Sequence, residues 1–123
     1  MKISLITLHT SEMLESIKFY EEILNMKMVK ELKPNENMRL VFLKGEGDVL
    51  IELIEDKALT VLDSVNSNIS MGLFIEDMNG IIQILEEKKV KIKRGPITVP
   101  NGNKLLFIED PNGVEVEFIE GKI

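Results

Sequence analysis

The chain has no cysteine and a single histidine, His9, and no stretch of it reads as a long apolar run. Without cysteine there is no thiolate nucleophile, no disulfide and no thiolate metal site, and a cytoplasmic setting is the expectation. No run reaches the roughly 18 apolar residues of a membrane helix, so no membrane partner is expected. The start, Met1-Lys2-Ile3-Ser4-Leu5, enters a strand pattern at once and reads as a chain without a secretory leader. Basic charge is also short. The 15 Lys and Arg face 21 Asp and Glu, a net charge of -6, in which no like-charged block exceeds a pair such as Glu86-Glu87. That balance argues against nucleic acid as a partner, because phosphate binding needs a basic field.

What the sequence does have is an echo. Shifting it by 65 positions superimposes Phe42 on Phe107, Val49 on Val114, Glu52 on Glu117 and Ile54 on Ile119. The shift also pairs Leu8 with Leu73, Met13 with Met78 and Ile17 with Ile82, and it aligns the polar helix starts Glu12 and Asp77. One offset running through strand-like and helix-like stretches implies two copies of one supersecondary unit, about 1–58 and 66–123. With 123 residues, 44% of them apolar, the chain suffices for one ordinary domain.

Each copy reads as strand, helix, strand, strand, strand. In the first, Ile3 to His9 is apolar and β-rich, and Thr10 or Ser11 stands where a helix cap belongs. From Glu12 to Leu24, Met13, Leu14, Ile17, Tyr20, Ile23 and Leu24 recur at helical spacing. Lys27 to Lys33 is a weaker strand. Met38 to Lys44 and Val49 to Glu55 are stronger ones, after the turn Pro34-Asn35-Glu36-Asn37 and on either side of Gly45-Glu46-Gly47-Asp48. A polar connector, Asp63 to Asn68, leads into the second copy. There the strand Ser70 to Glu76, the helix Asp77 to Lys88 and the strands Val90 to Arg94, Lys104 to Glu109 and Val114 to Glu120 repeat the order. The segment Gly95 to Gly102, with two prolines and two glycines, reads either as a ligand-covering loop or as a stiffened surface crossover.

Strand parity then sorts side chains by face. Val114, Val116 and Phe118 must lie under a helix, as must Val49, Ile51 and Leu53, and Ile6 and Leu8 with Met71, Leu73 and Ile75. The opposite face receives Glu115, Glu117 and Ile119, Leu50, Glu52 and Ile54, and from the first strands Leu5, Thr7, His9, Ser70, Gly72 and Phe74. Carboxylates on that face can hold a cationic or hydroxyl-bearing ligand, or exchange protons if desolvation raises one of them. Arg39, Lys93, Arg94 and Lys104 are candidate counter-charges or plain surface cations, and Tyr20 reads as core or interface.

The helix segment Ser11-Glu12-Met13-Leu14-Glu15-Ser16-Ile17-Lys18-Phe19-Tyr20 followed by Ile23-Leu24-Asn25, with Phe107-Ile108-Glu109-Asp110-Pro111-Asn112-Gly113 followed by Val116-Glu117-Phe118, resembles the glyoxalase, bleomycin-resistance and dioxygenase (vicinal oxygen chelate) superfamily. The resemblance covers essentially the whole chain. It implies an α+β domain of two strand-helix-strand-strand-strand modules forming a curled mixed sheet around a shared cavity, commonly in a homodimer. In metal-dependent members it also implies a divalent ion, such as Zn, Ni, Mn or Fe, held from the first and last strands of each module. The last-strand positions correspond to Glu52 and Glu117. The first-strand positions correspond to Leu5 and Ser70, and neither is a competent ligand beside a carboxylate. His9 lies about 13 Å along the strand from the Leu5 position, too far to replace it.

The sequence therefore predicts a small-molecule binding protein of this superfamily without a metal cofactor, its ligand cavity lined by Leu5, Thr7, His9, Leu50, Glu52, Ser70, Phe74, Glu115 and Glu117. The alternative is a lyase or isomerase of glyoxalase type, in which Glu52 or Glu117 serves as proton-transfer base or as ligand to a displaced or partner-supplied divalent metal.

Overall fold

The computed structural model describes residues 1–58 and 69–122. The expected connector Asp63 to Asn68 lies outside them. The chain divides into two compact units, the first ending at Ser64 and the second beginning at Val65.

The first unit runs β1 (Leu5–His9), α1 (Met13–Lys18) continued by a π-helical segment (Phe19–Ile23), β2 (Lys27–Asn35), β3 (Met38–Lys44) and β4 (Leu50–Asp56). Its sheet has the order β1-β4-β3-β2, with β1 parallel to β4 and the remaining pairs antiparallel. The second unit repeats this with β5 (Ser70–Ile75), α2 (Met78–Glu87), β6 (Arg94–Thr98), β7 (Lys104–Glu109) and β8 (Glu115–Glu120), in the order β5-β8-β7-β6. Alternation decides what each sheet buries. Val41, Leu43, Ile51 and Leu53 are buried with Met13, Ile17 and Tyr20 of the first helix, and Leu106, Ile108, Val116 and Phe118 are buried with Met78 and Leu85 of α2. At about 1.5–3 kcal/mol for each large side chain removed from water, these faces account for the seating of each helix on its sheet.

Two expectations are corrected. The expected single curled mixed sheet is replaced by two four-stranded mixed sheets, neither of them closed, and among the described residues each ends in two edge strands that pair on one side only. Parity is borne out for Ile51, Leu53, Val116 and Phe118, which are buried, but not for Val49, which precedes β4 and is exposed, and it carries no information about curvature or closure, which depend on what edge strands meet. The strand expected at Val90 to Arg94 instead begins at Arg94 and runs to Thr98, through half of the supposed Gly95–Gly102 loop. Gly95 permits this. With φ at +99° and a would-be Cβ only 2.6 Å from the Leu105 carbonyl oxygen, no side chain fits there.

A pair of carboxylates ties each last strand to its helix. The Met13 N–H donates to Glu55 Oε2 at 3.4 Å, and the Met78 N–H to Glu120 Oε2 at 2.6 Å. These are unsatisfied first-turn donors, and an anion there also complements the helix dipole. Thr10, one of the expected caps, accepts from the Glu12 N–H at 2.9 Å instead.

Candidate functional site

The site is built on the sheet face turned away from the helix in each unit. In the first, β1 is parallel to β4 in a register that sets Leu5 beside Leu50, Thr7 beside Glu52 and His9 beside Ile54. Thr7 Oγ1 donates to Glu52 Oε1 at 2.7 Å, so this carboxylate is already engaged by a neutral hydroxyl. Glu52 is half-buried, whereas Leu5, Thr7 and His9 are exposed, His9 at the end of its strand. On the other side of Glu52 stands Phe42, and beyond Phe42 stands Lys30.

In the second unit the register pairs Ser70 with Glu115, Gly72 with Glu117 and Phe74 with Ile119. Ser70 Oγ donates to Glu115 Oε1 at 2.5 Å. Lys93 Nζ lies 3.0 Å from Glu115 Oε2 and 3.1 Å from Glu109 Oε1, bridging both carboxylates. The Ser70 hydroxyl first, and the Lys93 ammonium second, hold Glu115 below the usual carboxylate range. Lys93 is raised above the ordinary lysine value, chiefly by Glu115 and then by Glu109. Glu117 sits between Gly72, which offers it no side chain, and Phe107. Arg94 Cζ lies 4.1 Å from the centre of the ring of the buried Phe107, a cation–π contact. Among the described residues, neither Glu117 nor Arg94 has a hydrogen-bond or ion-pair partner.

The predicted site residues thus fall into two sets, one per unit: Leu5, Thr7, His9, Leu50 and Glu52 in the first, and Ser70, Phe74, Glu115 and Glu117 in the second. Of the candidate counter-charges, Lys93 touches the predicted site carboxylate Glu115, and Arg94 acts on the same carboxylate through space. Arg39 pairs with Glu31 at 3.0 Å, and Lys104 with Glu120 at 3.7 Å. Sequence reasoning missed Phe42 and Phe107 as neighbours of the glutamates. Both were members of the 65-residue echo, and parity applied to their strands would have placed them on this face.

The residues present do not suit the divalent ion of metal-dependent relatives. At the first-strand positions Leu5 offers no donor atom, and the Ser70 hydroxyl is committed to Glu115. Among the described residues, no three His, Cys, Asp or Glu side chains gather where they could hold a metal ion.

The repeated strand-helix-strand-strand-strand order is the part of the implied architecture that the chain keeps, and in each unit the first strand runs parallel to the last. The chain belongs to the Glyoxalase/Bleomycin resistance protein/Dioxygenase superfamily, which residues 2–118 match. It is 26% identical over 120 residues to a lactoylglutathione lyase of Haemophilus influenzae, covering 94% of this chain and 89% of that protein. A probable chloroplastic lactoylglutathione lyase of Arabidopsis thaliana is 29% identical over 114 residues, which are 89% of this chain, and the match spans only 33% of that longer protein. Among solved structures, TnmS3, an antibiotic binding protein from Streptomyces sp. CB03234, superposes with a TM-score of 0.77 at 17% identity, covering 99% of this chain and 97% of that one. At that identity the likeness shows the fold alone.

Proposed function

We propose that this chain is a small-molecule binding protein of the superfamily that works without a resident metal. One observation carries the reading: the helix-free sheet faces keep their last-strand carboxylates, Glu52 and Glu117, while the first-strand positions hold a leucine and a serine whose hydroxyl is already bonded to Glu115. Carboxylates deprived of a metal remain good acceptors for ammonium, amidinium and hydroxyl donors. Exposed apolar surface stands beside them, with Leu5 44% and Phe74 51% exposed, and offers a planar ligand a place to lie.

A thermal-shift screen of planar and cationic small molecules, run beside metal analysis, tests this. The expected result is a stoichiometric organic ligand whose binding weakens at least about tenfold in Glu117→Gln, the loss of one charge-assisted hydrogen bond. Protein equilibrated with zinc, nickel, manganese or iron should retain well under one ion per chain after gel filtration. One tightly held ion, lost in Glu52→Gln or Glu117→Gln, would sink the reading.

The similarity to two lactoylglutathione lyases supports a second reading, a lyase with a displaced or partner-supplied metal. Metal-dependent turnover of lactoylglutathione, abolished by Glu117→Gln, would establish it in place of the first.

A further inference from the structure

Across the helix-free face of each sheet, cross-strand register lines up four residues in a row. In the first unit the row is Thr7, Glu52, Phe42, Lys30; in the second it is Gly72, Glu117, Phe107, Arg94. Both rows read small residue, carboxylate, phenyl ring, cation. Along the strands the flanking residues are partly kept, Ile54 being matched by Ile119 and Leu40 by Leu105, and partly changed, Leu5 being matched by Ser70 and Leu50 by Glu115. The charge–ring–charge sequence is common to both copies.

The two rows differ in how far their charges are satisfied. Thr7 supplies a hydroxyl to Glu52, whereas the exposed Gly72 supplies no side chain to Glu117, and a would-be Cβ there would touch Ile119 Cδ1 at 3.4 Å. In the second row the guanidinium rests on the Phe107 ring, which fixes its plane and leaves its N–H edges unused. Glu117 and Arg94 carry opposite charges on one row, and they do not pair with each other. The ring between them holds their backbones two strands apart, about 10 Å.

We propose that the row Gly72–Glu117–Phe107–Arg94 binds a zwitterion: a small molecule with a cationic nitrogen at one end, taken by Glu117, and an acidic group at the other, taken by the edge of Arg94. The glycine admits the ligand's cationic end beside the carboxylate. A ligand of one sign would satisfy one group and leave the other to water; a zwitterion satisfies both, and the separation of the two charges selects its length. This inference rests on the reading of the chain as a small-molecule binder and names the ligand class for that function.

Three matched probes test it by NMR titration of the intact chain: 4-(aminomethyl)benzoate, which carries both charges, benzylamine, which carries only the cation, and benzoate, which carries only the anion. The zwitterion should bind at least about tenfold more tightly than either half, the worth of one charge-assisted hydrogen bond. Glu117→Gln should erase its advantage over benzoate, and Arg94→Gln its advantage over benzylamine. Arg94→Lys, which keeps the charge but loses the fork, should retain part of the affinity. Glu46→Gln, on an exposed turn, should change nothing. A melting curve for each variant identifies any that fail to fold, and Arg94→Lys then stands in for Arg94→Gln. Equal affinity for the three probes, or no saturable binding of the zwitterion, would overturn the proposal. If the probes fail while the thermal-shift screen yields a ligand indifferent to Glu117→Gln and Arg94→Gln, the zwitterion assignment falls and the binding function stands. If neither the probes nor the screen gives saturable binding, the binding function itself falls.

Discussion

At the scale of single residues, Glu115 shows how neighbours decide what a carboxylate does. It sits one strand alternation from Glu117 on the same face, yet it is occupied by Ser70 and Lys93 while Glu117 is free. Folding lowers the Glu115 pKa, so its contribution to stability is present above the unfolded carboxylate range and is lost as pH falls through the lowered value. Lys93 is the mirror case: its contribution is complete below the ordinary lysine value and disappears as pH rises through the raised one. Ser70→Ala should therefore move Glu115 back up toward its ordinary value, and Lys93→Met should do the same, each read from a carboxyl-carbon NMR titration; an unmoved midpoint in Ser70→Ala would show that the hydroxyl does not hold it. Parity alone placed Glu52, Glu115 and Glu117 on one face. What it could not supply was Thr7 as the partner of Glu52, because that contact depends on the parallel register of β1 and β4, and nothing in the local sequence of either strand encodes it.

At the scale of elements, the 65-residue echo slips by one and recovers, and the structure locates both events. The left-handed residues that end the two helices are Asn25, at φ 53°, and Lys89, at φ 57°, which are 64 apart. Past the helix, the Met26 N–H donates to the Tyr20 carbonyl, six residues back, whereas the Val90 N–H donates to the Leu85 carbonyl, five residues back. The first helix thus contains one extra residue, absorbed as the π-helical segment Phe19–Ile23. Register recovers in the hairpin that follows, where Lys30 pairs with Phe42 but Arg94 pairs with Phe107, one residue further along. The displacement of the strand expected at Val90 to Arg94 has a different cause: Gly95 and Pro96 read as the start of a loop, whereas the strand runs through both. Deleting the exposed Glu21 should convert the π segment to ordinary helix at a cost below about 1 kcal/mol, while deleting Gln83 from α2 should rotate its apolar stripe by about 100° and cost more than about 3 kcal/mol. Urea midpoints of the two deletions check this, and equal losses would mean that the π segment holds no spare residue.

At the scale of the whole molecule, the order of elements and the buried faces were legible because hydrophobic periodicity encodes them directly. The openness of the sheets was not, since edges are defined by what fails to pair. The structure manages one such edge visibly. All nine residues of β2 are exposed, Met28, Val29 and Leu32 among them, and a strand of that length invites pairing with another chain. Lys27, Lys30 and Lys33 punctuate it, and its register with β3 shifts twice. Charges and bulges of this kind discourage edge-to-edge association. Replacing Lys30 and Lys33 together with valine should lower the concentration at which the protein self-associates, as read by light scattering; unchanged scattering would assign the protection to the bulges.

The carboxylates that bridge the last strands to the helix starts also set an order in time. Glu55 lies 42 residues beyond the N–H it accepts from Met13, and Glu120 is equally far from Met78. Each helix therefore acquires this anion only when the closing strand of the unit, on which it also packs, is in place. Contacts made that late weigh on the unfolding barrier rather than the folding one. Glu120→Gln should accordingly cost about 1 kcal/mol and appear in a chevron plot as faster unfolding with the refolding limb nearly unmoved. A slowed refolding limb would place the closing strand in the nucleus instead, making the end of each unit the place where its folding begins.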